Sequence, residues 1–468
     1  MKKTLLLTSI VASMVAIAGT TGSVEGYNKN EANFEKGKPA TFVAKKLGVK
    51  TEVKVNGTGF SFGGDFKAED LPLLSKVKKA NYLDHSSVWA KYELPELKGV
   101  KSYVKATVSP KFAGLENLAQ ANNKGIKVKE DKGSAELEGQ VSYKYGDFTF
   151  GLKSKTNFPF SNNIYKYEAK KVAPSFDSTE EYGKLVKSTH KVFVESEKDK
   201  DVFVKGLKDV KANVEVKHDY RKIETGHKAS EAVDYVKGNV ELAYDGIKDL
   251  RIDGKIDFTV NVNGPKELGN IKLGDYNLKD LELVGELRKE PVDFVHTYNA
   301  KLTYTGVKGL TLAVAPFVSH IKKVDTSNSK IDFVMYGSSL NAQYKMLNDQ
   351  LTLTGKALLA GDSVLENGEN VQNSGVVSLG ANAKYDYKVS DKFTVSPEAD
   401  AKLDLLIEDQ QPEPFLTITP KVSAEYKPTD TLTLTGSVEA PVKLKVKNYS
   451  EYIQTQLKTS LNIKYEWK

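Results

Sequence analysis

The chain has 468 residues, is 40% hydrophobic and 28% charged, and contains no cysteine, which excludes a disulfide scaffold, a cysteine nucleophile and thiolate metal sites. Lysine and arginine total 68 against 61 acidic residues, a formal net charge of +7, but only Arg221, Arg251 and Arg288 are arginine. That argues against nucleic-acid reading, where the bidentate guanidinium is favoured, and a mean hydropathy of −0.42 excludes a bundle of membrane-spanning helices.

The first element in the chain reads as an export signal. Lys2 and Lys3 form a positive start, Leu5 to Ile17 an apolar core, and Ala16-Ile17-Ala18 the small residues of a cleavage site. The apolar stretch is about 14 residues, short of the roughly 20 that a spanning helix needs, so a retained anchor is the weaker reading. Cleavage before Gly19 removes two lysines and leaves a net charge of +5. Residues 19–40 are expected to be an N-terminal extension, and 41–468 a single all-β domain.

Strict alternation of apolar and polar residues then recurs along the chain. It is visible at Ala135 to Tyr145, where Glu136, Glu138 and Lys144 share the polar face, and at Leu250 to Val262, where Arg251, Asp253, Lys255 and Asp257 do. Phe393 to Ile407 sets Asp400, Lys402 and Asp404 against an apolar face. Leu432 to Val446 sets Glu439, Lys443 and Lys445 against Leu434, Val438 and Val442, interrupted only by Pro441. From Leu457 to Lys468 the odd positions are nearly all apolar and the even positions wholly polar. A helix cannot segregate residues this way, because its period is 3.6 rather than 2.

Aromatic residues punctuate the strands. Tyr304, Tyr344, Tyr385, Tyr426 and Tyr465 recur at intervals of 39 to 41 residues, four of them just before a short polar turn. Tyr92, Tyr145 and Tyr244 repeat the arrangement at wider spacing. A propeller blade has a similar period but packs four short strands into it, and no Trp-Asp dipeptide is present. The other connections are longer and polar, roughly 65–85, 113–133, 156–188, 219–230 and 361–374, the longest being 156–188. Strands counted from Val49 onward number 16 to 20.

These features favour a transmembrane antiparallel up-and-down β-barrel over a soluble sandwich. The strands alternate for about 10 to 16 residues against a soluble mean of 5–6, charge sits in mid-strand as in a water-filled lumen, and tyrosines gather at one end, as at a membrane interface. The candidate pore-lining residues are Arg251, Asp253, Lys255, Asp257, Asp400, Lys402, Asp404, Glu439, Lys443 and Lys445. The candidate periplasmic aromatic girdle is Tyr244, Tyr304, Tyr344, Tyr385, Tyr426, Tyr465 and Trp467.

The terminal segment from Leu457 to Lys468 resembles the last strand of Gram-negative outer-membrane β-barrels, which alternates and closes on an aromatic. Here Lys468 follows Trp467, a departure from that ending. The resemblance implies the bacterial outer membrane as location, its lipid as surroundings, and the barrel-assembly machinery as a partner that reads the C-terminal strand. A homotrimer is one assembly it allows.

Catalytic and metal-binding patterns are absent from the sequence. The six histidines show no ligand spacing, and no Gly-x-Ser-x-Gly or phosphate-binding loop occurs. No cofactor, nucleic-acid partner or enzymatic activity is therefore expected. Two functions remain: a porin-like channel for passive diffusion of small hydrophilic solutes and ions, or an adhesin or structural barrel whose loops bind host or matrix ligands. A TonB-dependent transporter fits less well, because about 30 mature residues ahead of the first expected strand are too few for a plug. The connection 156–188, with Phe158-Pro159-Phe160 and lysines from Lys166 to Lys171, is expected either to fold inward and set the size limit or to stay an exposed loop.

Overall fold

The structure, a computed structural model, describes residues 19–72, 86–110, 126–128, 133–160, 165–168, 179–182, 185–221, 230–261, 272–273, 276–277, 294–324, 330–408, 411–447 and 449–467. Among them there is no helix. The expected signal, residues 1–18, lies outside the described residues.

One antiparallel sheet dominates. Its staves are β1 Thr20–Glu35, β2 Thr41–Val55, β3 Phe60–Pro72, β4 Ser87–Glu93, β5 Val100–Pro110, β6 Gly133–Tyr145 and β7 Phe148–Pro159. They continue as β8 Leu185–Ser196, β9 Leu207–Arg221, β10 Ser230–Ile247, β11 Leu250–Asn261, β12 Phe294–Tyr304 and β13 Leu310–Val324. The last seven are β14 Lys330–Met346, β15 Leu351–Glu366, β16 Glu369–Tyr385, β17 Phe393–Glu408, β18 Gln411–Thr429, β19 (Leu432–Glu439 with Val442–Lys447) and β20 Tyr449–Trp467. Each stave pairs with its neighbours in sequence, and β20 pairs with β1, so the sheet closes into a barrel of twenty strands in a single domain. Closure leaves no unpaired strand edge, and a bilayer has no water to satisfy one.

Pro441 divides β19 because proline donates no ladder hydrogen bond. The register survives the break: Glu439 faces Lys458 before it and Val442 faces Thr455 after it.

The expected extension over 19–40 is corrected. Thr20–Glu35 is a full stave whose partners run from Gly22↔Trp467 to Glu35↔Gln454 on one side and from Thr20↔Val55 on the other. Its polar and glycine-rich composition, with Gly22, Gly26, Asn28 and Asn30 on the face that strands elsewhere fill with Val and Leu, hid its alternation. The first counted strand likewise begins at Thr41 rather than Val49.

The expected loop 361–374 is also corrected. Strand pairing continues to Glu366↔Glu369, and only Asn367 and Gly368 turn. Both have positive φ, 52° and 91°, the geometry of a type I′ hairpin, for which Asn-Gly is the preferred pair. The connection 156–188 shrinks to 160–184. Within it Tyr165–Glu168 pairs with Thr179–Tyr182, and Ile126–Val128 from the preceding long connection adds a third strand.

Connections at the end that holds Gly22 and Trp467 run from two residues to the ten of 197–206. Pairs such as Gly146-Asp147, Lys248-Asp249 and Asp430-Thr431 join neighbouring strands there. The opposite end carries the long connections through β12, but beyond β14 its turns are also short, so the expected inequality of the two ends is confined to the first two thirds of the chain.

Candidate functional site

A barrel wall one residue thick gives every strand an inner and an outer face. The outer face carries Val192, Leu152, Val240, Ile256, Leu340 and Leu461, each between 43% and 61% exposed, so a broad apolar surface faces outward. On β12 the outward-facing Phe294 and Tyr304 lie ten residues apart, as do Phe148 and Phe158 on β7. At about 3.4 Å per residue and a tilt of about 40°, the two aromatic levels stand ~26 Å apart, the height of the apolar band of outer-membrane barrels.

Tyr244, Tyr304, Tyr344, Tyr385, Tyr426, Tyr465 and Trp467 all stand at the end where the termini meet, on the outward parity. Tyr344 pairs with Leu310, Tyr385 with Leu351, Tyr426 with Leu434, Tyr465 with Val24 and Leu432. The rings of Tyr304 and Tyr244 lie over Gly306 and Gly246, where a Cβ would collide with them. The Trp467 indole covers Gly22 at the closing seam in the same manner.

The ten candidate lining residues all lie on the opposite, inward parity, and most form ion pairs. Arg251 Nη2 donates to Asp209 Oδ2 at 2.7 Å and its Nε to Asp253 Oδ1 at 2.8 Å. Lys255 lies 3.1 Å from Asp257 and 3.4 Å from Glu241. On the far arc of the wall Lys402 meets Asp404 at 2.9 Å, and Glu439 meets Lys458 at 3.2 Å. Asp400 sits between Asn382 and Thr419 across the sheet. The ammonium groups of Lys443 and Lys445 stand 4.7 Å and 5.8 Å from the Phe415 ring centre.

The structure thus separates the ten into two groups rather than one cluster. Arg251, Asp253 and Lys255, with Glu195, Lys211 and Glu241, line a recess of about 590 Å³ at the foot of β8 to β13. The β17 to β20 residues lie on a different arc of the wall. Outside the strands, Lys200 donates to Asp147, tying two turns at this mouth together, and that contact raises the pKa of the lysine.

Sequence reasoning missed the aromatic members of this wall. Tyr27, Tyr103 and Tyr235 point inward and donate to Asp65 (2.5 Å), Glu138 (2.6 Å) and Glu215 (3.1 Å). Lys91 stacks 4.3 Å over Tyr103, Lys105 5.0 Å over Trp89, and Lys237 5.2 Å over Tyr235. Their parity was the available signal, since each alternates in phase with charged rather than aliphatic residues. These contacts hold long lysine side chains against the wall, and partial desolvation strengthens each cation–π contact.

Chemically, such a wall offers paired fixed charges of both signs to an aqueous passage. Among the described residues no group of three or more His, Asp or Glu is placed to hold a metal ion.

No protein-family profile matches the sequence, and no curated protein matches it. Solved structures similar to it are outer-membrane proteins and receptors. One is the Pseudomonas aeruginosa protein FpvA bound to heterologous pyoverdines, with 11% identity, a TM-score of 0.49, and coverage of 95% of this chain and 72% of that one. Another is Acinetobacter baumannii OccAB3, with 9% identity, a TM-score of 0.39, and coverage of 96% and 100%. A third is a bacterial polysaccharide outer membrane secretin, with 9% identity, a TM-score of 0.35, and coverage of 80% and 100%.

Proposed function

We propose that the chain is an outer-membrane channel through which small hydrophilic solutes and ions diffuse passively. The observation that carries this reading is the division of one closed wall into two chemistries. The outside is an aliphatic belt bounded by aromatic rings, and the inside holds charges that need water or partners. A wall of twenty strands encloses a wide lumen, because barrel diameter grows with strand number.

Selectivity by charge should be weak. Lysines and carboxylates alternate along the inner face within bonding distance of each other, so their fields largely cancel beyond a Debye length of about 8–10 Å. The excess of positive charge favours anions mildly.

Single-channel recording in planar bilayers tests the proposal. Purified protein should give stepwise, ohmic conductance that rises with salt concentration. Folded, inserted protein that conducts nothing would overturn the reading and leave a closed surface barrel.

A further inference from the structure

The outer wall holds a pair of imidazoles that passive diffusion does not use. His296 of β12 and His320 of β13 are 24 residues apart in the chain, and the sheet makes them direct cross-strand partners with ring centres 5.0 Å apart. Both have the outward parity of Phe294 and Tyr304. Eight residues separate His296 from Tyr304. At about 3.4 Å per residue and a tilt of about 40° that is ~21 Å, so the pair lies ~5 Å inside the far edge of the ~26 Å band. One register further out, Phe294 faces Lys322 and Lys322 faces Asp332. The pair therefore stands where the apolar belt gives way to charge and water.

Each ring is held from outside the pair. His296 packs at steep angles between the rings of Phe294 and Tyr298, whose centres are 5.0 Å and 5.4 Å away. His320 Nε2 donates to Asp332 Oδ1 at 2.9 Å. An ionised carboxylate only accepts, so this bond puts the proton of a neutral imidazole on Nε2 and leaves the Nδ1 lone pair for another partner. A carboxylate behind a histidine in this way orients the ring as a metal ligand and raises its basicity. Asp332 thus acts on His320 and is not itself a third ligand. The side chains of His320 and Asp332 are 32% and 26% exposed, so an ion arriving from water can reach them.

The separation suits a single ion. Two imidazoles on a tetrahedral centre, with metal–nitrogen bonds of about 2.0–2.1 Å and each ring centre roughly 1.1 Å behind its nitrogen, hold their centres about 5.2 Å apart. His190 and His218, also on the outer face, do not match. Their ring centres are 6.4 Å apart, their cross-strand partners are Val216 and Ser188, and Ser154 Oγ lies 3.0 Å from His190 Nδ1.

We propose that His296 and His320 bind one divalent transition-metal ion, of the zinc, nickel or copper kind, on the outer wall at the end opposite the chain termini, with Asp332 orienting His320. Imidazole nitrogen selects these ions over magnesium and calcium, which take oxygen ligands. Two protein ligands leave the remaining positions of the ion to water. The site does not rest on the channel reading, because it lies on the outside of the wall and binds whether or not the barrel conducts.

Zinc binding to the barrel, purified in detergent without a histidine tag, tests this. Isothermal titration calorimetry should show one Zn2+ per chain, undiminished by an excess of Mg2+ or Ca2+. His296→Gln and His320→Gln should each abolish that binding, Asp332→Asn should weaken it about 10- to 100-fold, and His190→Gln should leave it unchanged. In the unaltered chain Zn2+ should also shield residues 296 and 320 from carbethoxylation by diethyl pyrocarbonate, read by mass spectrometry, which covers the case of a variant that fails to fold. A chain that takes up no Zn2+ overturns the proposal. So does uptake that survives His296→Gln and His320→Gln, that Mg2+ competes away, or that leaves the two rings as reactive as before.

Discussion

Replacing Val438 by arginine tests which face meets lipid. Val438 is 49% exposed on the outward parity of β19. Six residues separate it from Leu432, the partner of Tyr465 at the aromatic level. At about 3.4 Å per residue and a tilt of about 40°, that is ~16 Å of depth in a band of ~26 Å, about 3 Å past the centre. An arginine at the midplane costs about 2–4 kcal/mol, so about 2–3 kcal/mol is expected, a shift of roughly 30- to 150-fold in the folded-to-unfolded ratio. The neighbouring Glu439 faces the lumen 3.2 Å from Lys458, both partly exposed. Glu439→Gln should cost under about 1 kcal/mol, as half-exposed ion pairs do. Val438→Leu, which keeps the outward surface apolar, should change stability by less than about 0.5 kcal/mol. The assay is reversible denaturant unfolding in lipid vesicles. Equal losses for Val438→Arg and Glu439→Gln, or a larger loss at Glu439, would refute the assignment of faces.

Three further outcomes follow from particular contacts. Gly151→Val should destabilise by about 1–3 kcal/mol, since the new Cβ would overlap the Phe193 ring; adding Phe193→Ala should recover much of that loss in the same unfolding assay. Gly368→Ala should cost about 1 kcal/mol at its φ of 91°, whereas Gly355→Ala, in an extended strand with open space around it, should be neutral or slightly stabilising. Arg251→Ala leaves the carboxylates of Asp209 and Asp253 without their guanidinium, so the reversal potential across a salt gradient should move towards cations, and the shift should fade near 1 M salt, where the Debye length is about 3 Å.

Legibility in the sequence followed the strength of period two. Where Val, Leu and Ile alternate with Lys, Asp and Thr, as in β11, β17 and β20, strand and face could both be read from the chain. β1 failed because glycine and asparagine occupy its outward positions, so no hydrophobic rhythm marked it. Asn367-Gly368 was misread as part of a long loop although the dipeptide itself encodes a two-residue turn. The inward aromatics escaped for a different reason: a tyrosine in a strand reads as interfacial by composition, and only its phase relative to the lysines distinguishes Tyr103 from Tyr304. The inward face of β13 was least legible. Ala313, Ala315, Phe317 and Ile321 alternate with outward Val314 and Val318, so both faces of β13 are apolar and the pattern loses its contrast.

The meeting of Gly22 with Trp467 has a consequence for how the chain can be rewired. The backbone ends of β1 and β20 lie side by side at the same rim as the tight turns at 146–147, 248–249 and 430–431. Joining the two ends through a short flexible linker and opening the chain at Lys248-Asp249 therefore leaves every cross-strand partner in place. Such a circular permutant would begin at Asp249 and finish at Lys248. The long-range seam between the first and last staves would become an ordinary hairpin, closed locally instead of across more than 400 residues of chain, and the cost of closing a loop grows with its length. The new seam between β10 and β11 would carry the long closure instead, stitched by Lys255 and Glu241.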